Sequence, residues 1–259
     1  MKVEEQDAAG EFALEAQGLG KSFGGFYAVQ DVDLRIRRGS IHALIGPNGA
    51  GKTTCFNLLT KTLQPTDGRI FLDGQDISAL RTSDVARLGL VRSFQISATF
   101  LHLTCLENVR VALQARHGGG FRFWRSLSAI APLNGPAMDL LDRVGLADVA
   151  DVPASELSYG KKRALEIATT LALDPKVMLL DEPTAGMGHE DIDPIAELIR
   201  EVEVGRTVVI VEHNLSVVSS LSERITVLNH GEVLTEGTYA EVSQNPQVIT
   251  AYLGGAEDE

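Results

Sequence analysis

Residues 46–54 read GPNGAGKTT, after the apolar run IHALI and before the helix-patterned TTCFNLLT. A short apolar run bounded by glycine reads as a buried strand, and the segment after the loop has apolar residues at helical spacing. Strand, glycine-rich loop and helix in that order commit the chain to a fold that aims a strand end and a helix N-terminus at one point. Glycines at 46, 49 and 51 let backbone N–H groups turn toward an anion with no Cβ in the way. Lys52 adds a positive charge at the β and γ phosphates, Thr53 offers a hydroxyl to Mg²⁺, and Thr54 lies in the first turn, where the helix dipole favours an anion. Pro47, Asn48 and Ala50 complete the cradle.

A chain of 259 residues fits a single core domain carrying a smaller lobe. Its 44% hydrophobic and 22% charged content is ordinary for a globular protein. No stretch approaches the roughly 18 apolar residues of a membrane span. The start MKVEEQDAAGE lacks the basic-then-apolar order of a secretory signal, and Cys55 and Cys105 make no disulfide framework, so the cytoplasm is the expected compartment. A formal charge of -12 opposes binding to nucleic acid or anionic lipid unless a basic patch is concentrated somewhere. FRFWR at 121–125 is too small a patch and reads as a half-buried loop or helix end, so attachment to a membrane would come through another protein.

Residues 12–75 read as β-rich with one helix: AVQDVDLRI alternates, IHALI is a strand, and RIFLDG ends in a turn. From 76 to about 160 the pattern turns helical, with LENVRVALQAR and MDLLDRVGL broken by GGG at 118–120 and by Pro132, Gly135 and Pro136. From 164 onward helices ALEIATTLAL, DPIAELIREVE and LSVVSSLSE alternate with apolar strands KVMLLD, RTVVIV and RITVLN, the signature of a parallel sheet covered on both faces. The fold class is α/β with an inserted helical lobe. The first residues and the tail AEDE read as frayed.

In VMLLDEP a buried strand delivers Asp181 and Glu182 to the carboxyl edge of the sheet, where open α/β sheets bind ligands. Asp181 is placed for the water shell of Mg²⁺, and Glu182 to orient or deprotonate an attacking water. The plainer alternative has both acids capping a turn before Pro183. RTVVIVEHN brings His213 out on the same edge, with Nε2 either donating to a γ-phosphate or fixing the water. His42, His102, His117, His189 and His230 have no such placement, and the acids of HEDID suit the first turn of the following helix.

Together these residues resemble the ATP-binding subunit of an ABC transporter, from about Phe12 to Gly254. The resemblance implies a P-loop NTPase core with a mostly parallel sheet, an N-terminal antiparallel β subdomain and a helical lobe at about 96–163, all in one domain over 12–254; the polar, acidic segments 1–11 and 255–259 are expected to be disordered. It matches LSYGK at 157–161 to the family's LSGGQ-like signature and Gln95 in VRSFQ to the glutamine that joins the metal shell and catalytic set; His213 matches the family's histidine, and Phe23 in KSFGGFYAV the aromatic that stacks on adenine. Phe26 and Tyr27 are expected as core or edge residues.

Ser158, Tyr159, Gly160 and Lys161 then open a helix whose N-terminus makes a second anion site, and KKR at 161–163 puts three cations where only a bound phosphate would favour them. The resemblance implies that this phosphate belongs to ATP held by a second cassette, identical or paralogous, so that two nucleotides close a head-to-tail dimer and hydrolysis opens it. It further implies transmembrane permease subunits as partners, reached through Phe100 and Leu101 of ISATFLHLT, with a solute-binding protein beyond them.

Three positions depart from the family pattern: Tyr159 replaces a glycine, Lys161 stands where glutamine is common, and Gly188 in TAGMGHED stands where an aspartate is common. The AGMG loop and the tail VSQNPQVITAYLG resemble cassettes of branched-chain amino acid, urea and amide importers, though Val248, Ile249 and Tyr252 also suit a plain amphipathic helix with those residues on the core side. A soluble ABC ATPase acting on DNA or ribosomes would bring a coiled coil, paired cassettes or basic surfaces, and a P-loop kinase would not need LSYGK or His213.

Overall fold

The computed structural model describes residues 10–93, 99–116 and 131–254. The N-terminal hairpin β1 (Phe12–Phe23) and β2 (Phe26–Arg37) leads to β3 (Ile41–Ile45) and α1 (Lys52–Leu59). β4 (Asp67–Leu72), β5 (Gln75–Asp76), α2 (Thr82–Leu88) and β6 (Leu90–Arg92) follow, then α3 (Cys105–Arg116) and α4 (Asn134–Arg143). The remainder alternates as α5 (Tyr159–Ala172), β7 (Val177–Asp181), α6 (His189–Glu203), β8 (Thr207–Val211), α7 (Leu215–Leu221) and β9 (Arg224–Asn229). It closes with β10 (Glu232–Gly237), α8 (Tyr239–Ser243) and α9 (Pro246–Gly254).

Two sheets result. One is antiparallel, in the order β2-β1-β4-β5; the other runs β10-β9-β3-β8-β7-β6 and is parallel except for β10 against β9. The apolar runs of β3, β7 and β8 are buried throughout because both faces of the parallel sheet are covered. Ile41, Ala43, Met178, Leu180, Val208 and Ile210 face the core shared with the helical layer, whereas Leu44, Leu179, Val209 and Val211 face α1 and the antiparallel sheet. Parallel pairing brings Asp181 level with Val211, so β7 and β8 end together at one edge.

The expected helical stretch from 76 is interrupted. Leu90–Arg92 forms a strand paired with β7 and belongs to the parallel sheet. Three residues are too few for a period to show, and Gly89, at φ 102, ends α2 so abruptly that helix and strand merge in the sequence. Glu11, read as frayed, accepts a bond from the Arg38 N–H at 2.9 Å. FRFWR lies outside the described residues. Among the described residues, no helix is long and apolar enough to cross a membrane.

Candidate nucleotide site

The glycine loop leaves β3 in a conformation that side chains would forbid. Gly46 has φ 153 and a Cβ there would lie 2.2 Å from the Leu228 carbonyl oxygen; at Gly51, φ 96, the clash would be with the Ala28 carbonyl oxygen at 2.6 Å. Lys52, the first residue of α1, donates from Nζ to the Gly46 and Pro47 carbonyls at 2.8 and 2.9 Å. An ammonium has three protons, so the bonds to the loop leave one for a phosphate. Burial lowers the Lys52 pKa, opposed by the carboxylate of Glu182. Asn48, Gly49 and Thr53 are exposed, Pro47 and Thr54 half-buried and Ala50 buried. Burial raises the pKa of Tyr252 on α9, opposed by the backbone N–H of Gly46, which puts the C-terminal helix beside the loop.

Asp181 is the last residue of β7 and buried; its carboxylate is paired with Arg92 of β6, which also donates to Asn57 Oδ1 at 2.5 Å and lies 5.7 Å above the Phe56 ring. Glu182 follows at φ 46, and its Oε1 lies 2.7 Å from His213 Nε2. An ionised carboxylate only accepts, so in this pairing Nε2 carries the hydrogen. His213 thus meets Glu182, the catalytic candidate just beyond the neighbouring strand β7. Its position is fixed by Glu212, a buried carboxylate that accepts from Thr184 N and Oγ1 at 2.8 and 2.5 Å and from His213 N and Asn214 N at 3.0 and 3.2 Å.

Glu212→Gln would turn an NH₂ group toward donors that need an acceptor. We expect a loss of about 1–3 kcal/mol, roughly 2–4 °C in Tm per kcal/mol, seen by calorimetry. A melting temperature unchanged from the parent would mean that Glu212 does not secure the loop.

Ser158 caps α5, its Oγ accepting the Lys161 N–H at 3.4 Å. The expectation of three cations at this helix end is corrected. Arg163 is 4% exposed, paired with buried Glu166 at 2.6 Å, and donates to the Pro183 and Glu182 carbonyls at 3.0 and 2.6 Å. One turn into the helix, its side chain points to the core, so it serves the acidic loop and leaves Lys161 and Lys162 at the end. Lys161 Nζ is 3.7 Å from Asp148. Burial raises the Glu166 pKa although Arg163 opposes it.

Gly160 packs on Asp191, where a Cβ would come within 2.9 Å of Oδ1. The Tyr159 hydroxyl donates to the Ala185 carbonyl at 2.8 Å. Phe23 is 50% exposed beneath the ammonium of Lys21, 5.3 Å from its ring centre, and Phe26 and Tyr27 lie exposed on the edge strand β2. Ile249 is exposed, unlike the buried Val248 and half-buried Tyr252, so it leaves the expected core side of α9. His42 is structural: burial pushes it down to about 4, and Nε2 meets Thr226 Oγ1 at 2.8 Å. Gln95 lies outside the described residues.

Among the described residues no cluster of three His, Cys, Asp or Glu could hold a metal by itself. Mg²⁺ takes one or two protein oxygens and completes its shell with water and phosphate, and Thr53 and Asp181 offer hard oxygen donors of that kind.

A P-loop at the end of β3, an acidic pair at the end of β7 and an inserted helical layer define a P-loop nucleotide-binding ATPase. The ABC transporter family pattern matches residues 29–185, and that of the branched-chain amino acid ATP-binding cassette transporters matches 232–258. The chain belongs to the ABC transporter family as an ATP-binding cassette, an ATPase coupled to transport. It is 41% identical over 254 residues to the high-affinity branched-chain amino acid transport ATP-binding protein BraF of Pseudomonas aeruginosa, with 94% of this chain and 98% of that one aligned. LivG of Escherichia coli, of the same description, is 40% identical over 250 residues, with 94% and 98% aligned. The ADP conformation of the cassette MJ1267 superimposes with a TM-score of 0.82 at 26% identity, over 94% of this chain and 99% of that one. The dimeric bacterial cassette MJ0796 gives 0.72 at 28%, over 87% and 98%.

Proposed function

We propose that this chain hydrolyses ATP to power import of branched-chain amino acids, or of a related amino acid or amide, through separate permease subunits. Residues 12–254 act as one cassette with a helical lobe at about 96–163. The loop 46–54 grips the phosphates, Phe23 stacks on adenine, and Thr53, Asp181 and Gln95 hold Mg²⁺. When bound, Mg²⁺ neutralises charge on the phosphate oxygens. Glu182 takes the proton of the attacking water, and His213 holds its carboxylate in place. Ser158, Tyr159, Gly160 and Lys161 face ATP on the loop of a second cassette, identical or paralogous. The complex sits on the cytoplasmic face of the membrane, with Phe100 and Leu101, both exposed, turned to a permease. A solute-binding protein acts indirectly, and nucleic acid is no partner.

The observation that carries hydrolysis is the 2.7 Å contact between Glu182 and His213 at the sheet edge. The solute class is supported by the match of 232–258 and by the relatives' names. Purified from detergent-treated membranes, the chain is expected to bring down permease subunits and a second cassette. The reconstituted complex is expected to drive ATP-dependent uptake of labelled leucine, isoleucine or valine. Uptake of none of these, nor of an amide, by an ATP-hydrolysing complex would overturn the solute class.

A further inference from the structure

We propose that Tyr159 is a positioning residue that couples the two ATP sites of the closed dimer from within one chain, by tying the start of α5 to the loop after Glu182. This rests on the head-to-tail reading above, in which α5 faces the partner's nucleotide while Asp181 and Glu182 face the chain's own. The two ends must therefore be mechanically joined if one site is to sense the other.

The join is visible in the contacts. Tyr159 is the first residue of α5, and its hydroxyl donates to the Ala185 carbonyl at 2.8 Å. Ala185 closes a turn back to Glu182, its N–H donating to the Glu182 carbonyl at 3.1 Å. Four residues along α5, and so on the same face, Arg163 reaches the Glu182 carbonyl at 2.6 Å. Two donors on one helix face thus hold both ends of the turn 182–185. On its far side Thr184 is bound by Glu212, the residue that also fixes His213. A shift of α5 toward or away from a phosphate pulls on the backbone of Glu182 through this clasp.

Two further features single out Tyr159. The ring lies over Gly186, where a Cβ at φ 75 would meet the hydroxyl at 3.4 Å and the ring at 3.5 Å. The tyrosine is 38% exposed, so its hydroxyl has water as an alternative partner and its direction toward Ala185 is not imposed by burial. Gly188, farther along the loop, offers no carboxylate to reach across the dimer. Inside the chain, a phenol at the start of α5 supplies a link to this loop.

Tyr159→Phe tests this with little risk to the fold, since it removes one oxygen and leaves Ala185 open to water. ATP hydrolysis by the assembled transporter is measured against ATP concentration, with calorimetric ATP binding to the isolated chain alongside. The parent is expected to give a Hill coefficient approaching the two sites, about 2, and the variant about 1. Its kcat should fall about threefold to tenfold while single-chain affinity stays at the parent value. A parent Hill coefficient of 1, or a variant that keeps the parent's coefficient whatever its kcat, overturns the proposal. Glu182→Gln separates the two ideas: if it forms no ATP-dependent dimer, the head-to-tail reading has failed; if it does and Tyr159→Phe remains cooperative, only the clasp has failed.

Discussion

Lys52→Ala is expected to lose about 3 kcal/mol of ATP affinity, roughly 100-fold in Kd, when titrated by calorimetry with Mg-ATP. The side chain has two functions, and the substitution separates them. Its bonds to the Gly46 and Pro47 carbonyls hold the loop, and its remaining proton meets phosphate. Loss of the former costs about 1 kcal/mol, a few degrees in Tm, whereas loss of the charge falls wholly on the ligand. Equal affinity in parent and variant would remove the phosphate-cradle assignment of residues 46–54. A folding artefact is excluded if the variant melts within those few degrees.

Glu182→Gln is expected to lower turnover by about 10² to 10⁴-fold while leaving ATP binding intact. The amide keeps the size of the carboxylate, and its oxygen still accepts from His213 Nε2–H, so the 2.7 Å contact can persist. Basicity alone is removed. Single-turnover hydrolysis measures this without interference from product release, and a rate within a few-fold of the parent would assign the proton to another group.

The parts of the site legible in the sequence are those made of neighbouring residues. GPNGAGKTT carries its glycines, lysine and threonines in one loop, and VMLLDEP carries strand and acids together, so spacing suffices. Arg92, Arg163, Glu212 and Tyr252 were not legible because each acts on residues far along the chain. Arg92 pairs with Asp181 and Arg163 with the carbonyls after it; Glu212 binds Thr184, and Tyr252 lies beside Gly46. A cation in KKR reads the same whether it faces a phosphate or the core. The helical period provided a weak signal, since Arg163 falls four residues after Tyr159 and both turn to one loop. Strand β1 was hard to see for another reason: its register against β2 shifts repeatedly, which breaks the apolar-polar alternation. The broad order of the fold survived these gaps because β3, β7 and β8 are continuous apolar runs.

One claim underlies the site roles: each ATP lies between the loop of one cassette and the Ser158 end of α5 in another. Light scattering on the Glu182→Gln chain, alone and mixed with the cassette that co-purifies with it, is its most direct test. Mg-ATP is predicted to double the mass, ADP is not, and adding Ser158→Arg is predicted to hold the protein at the single-cassette mass with ATP still bound. A single-cassette mass throughout, or an ATP dimer indifferent to arginine at 158, would contradict the claim.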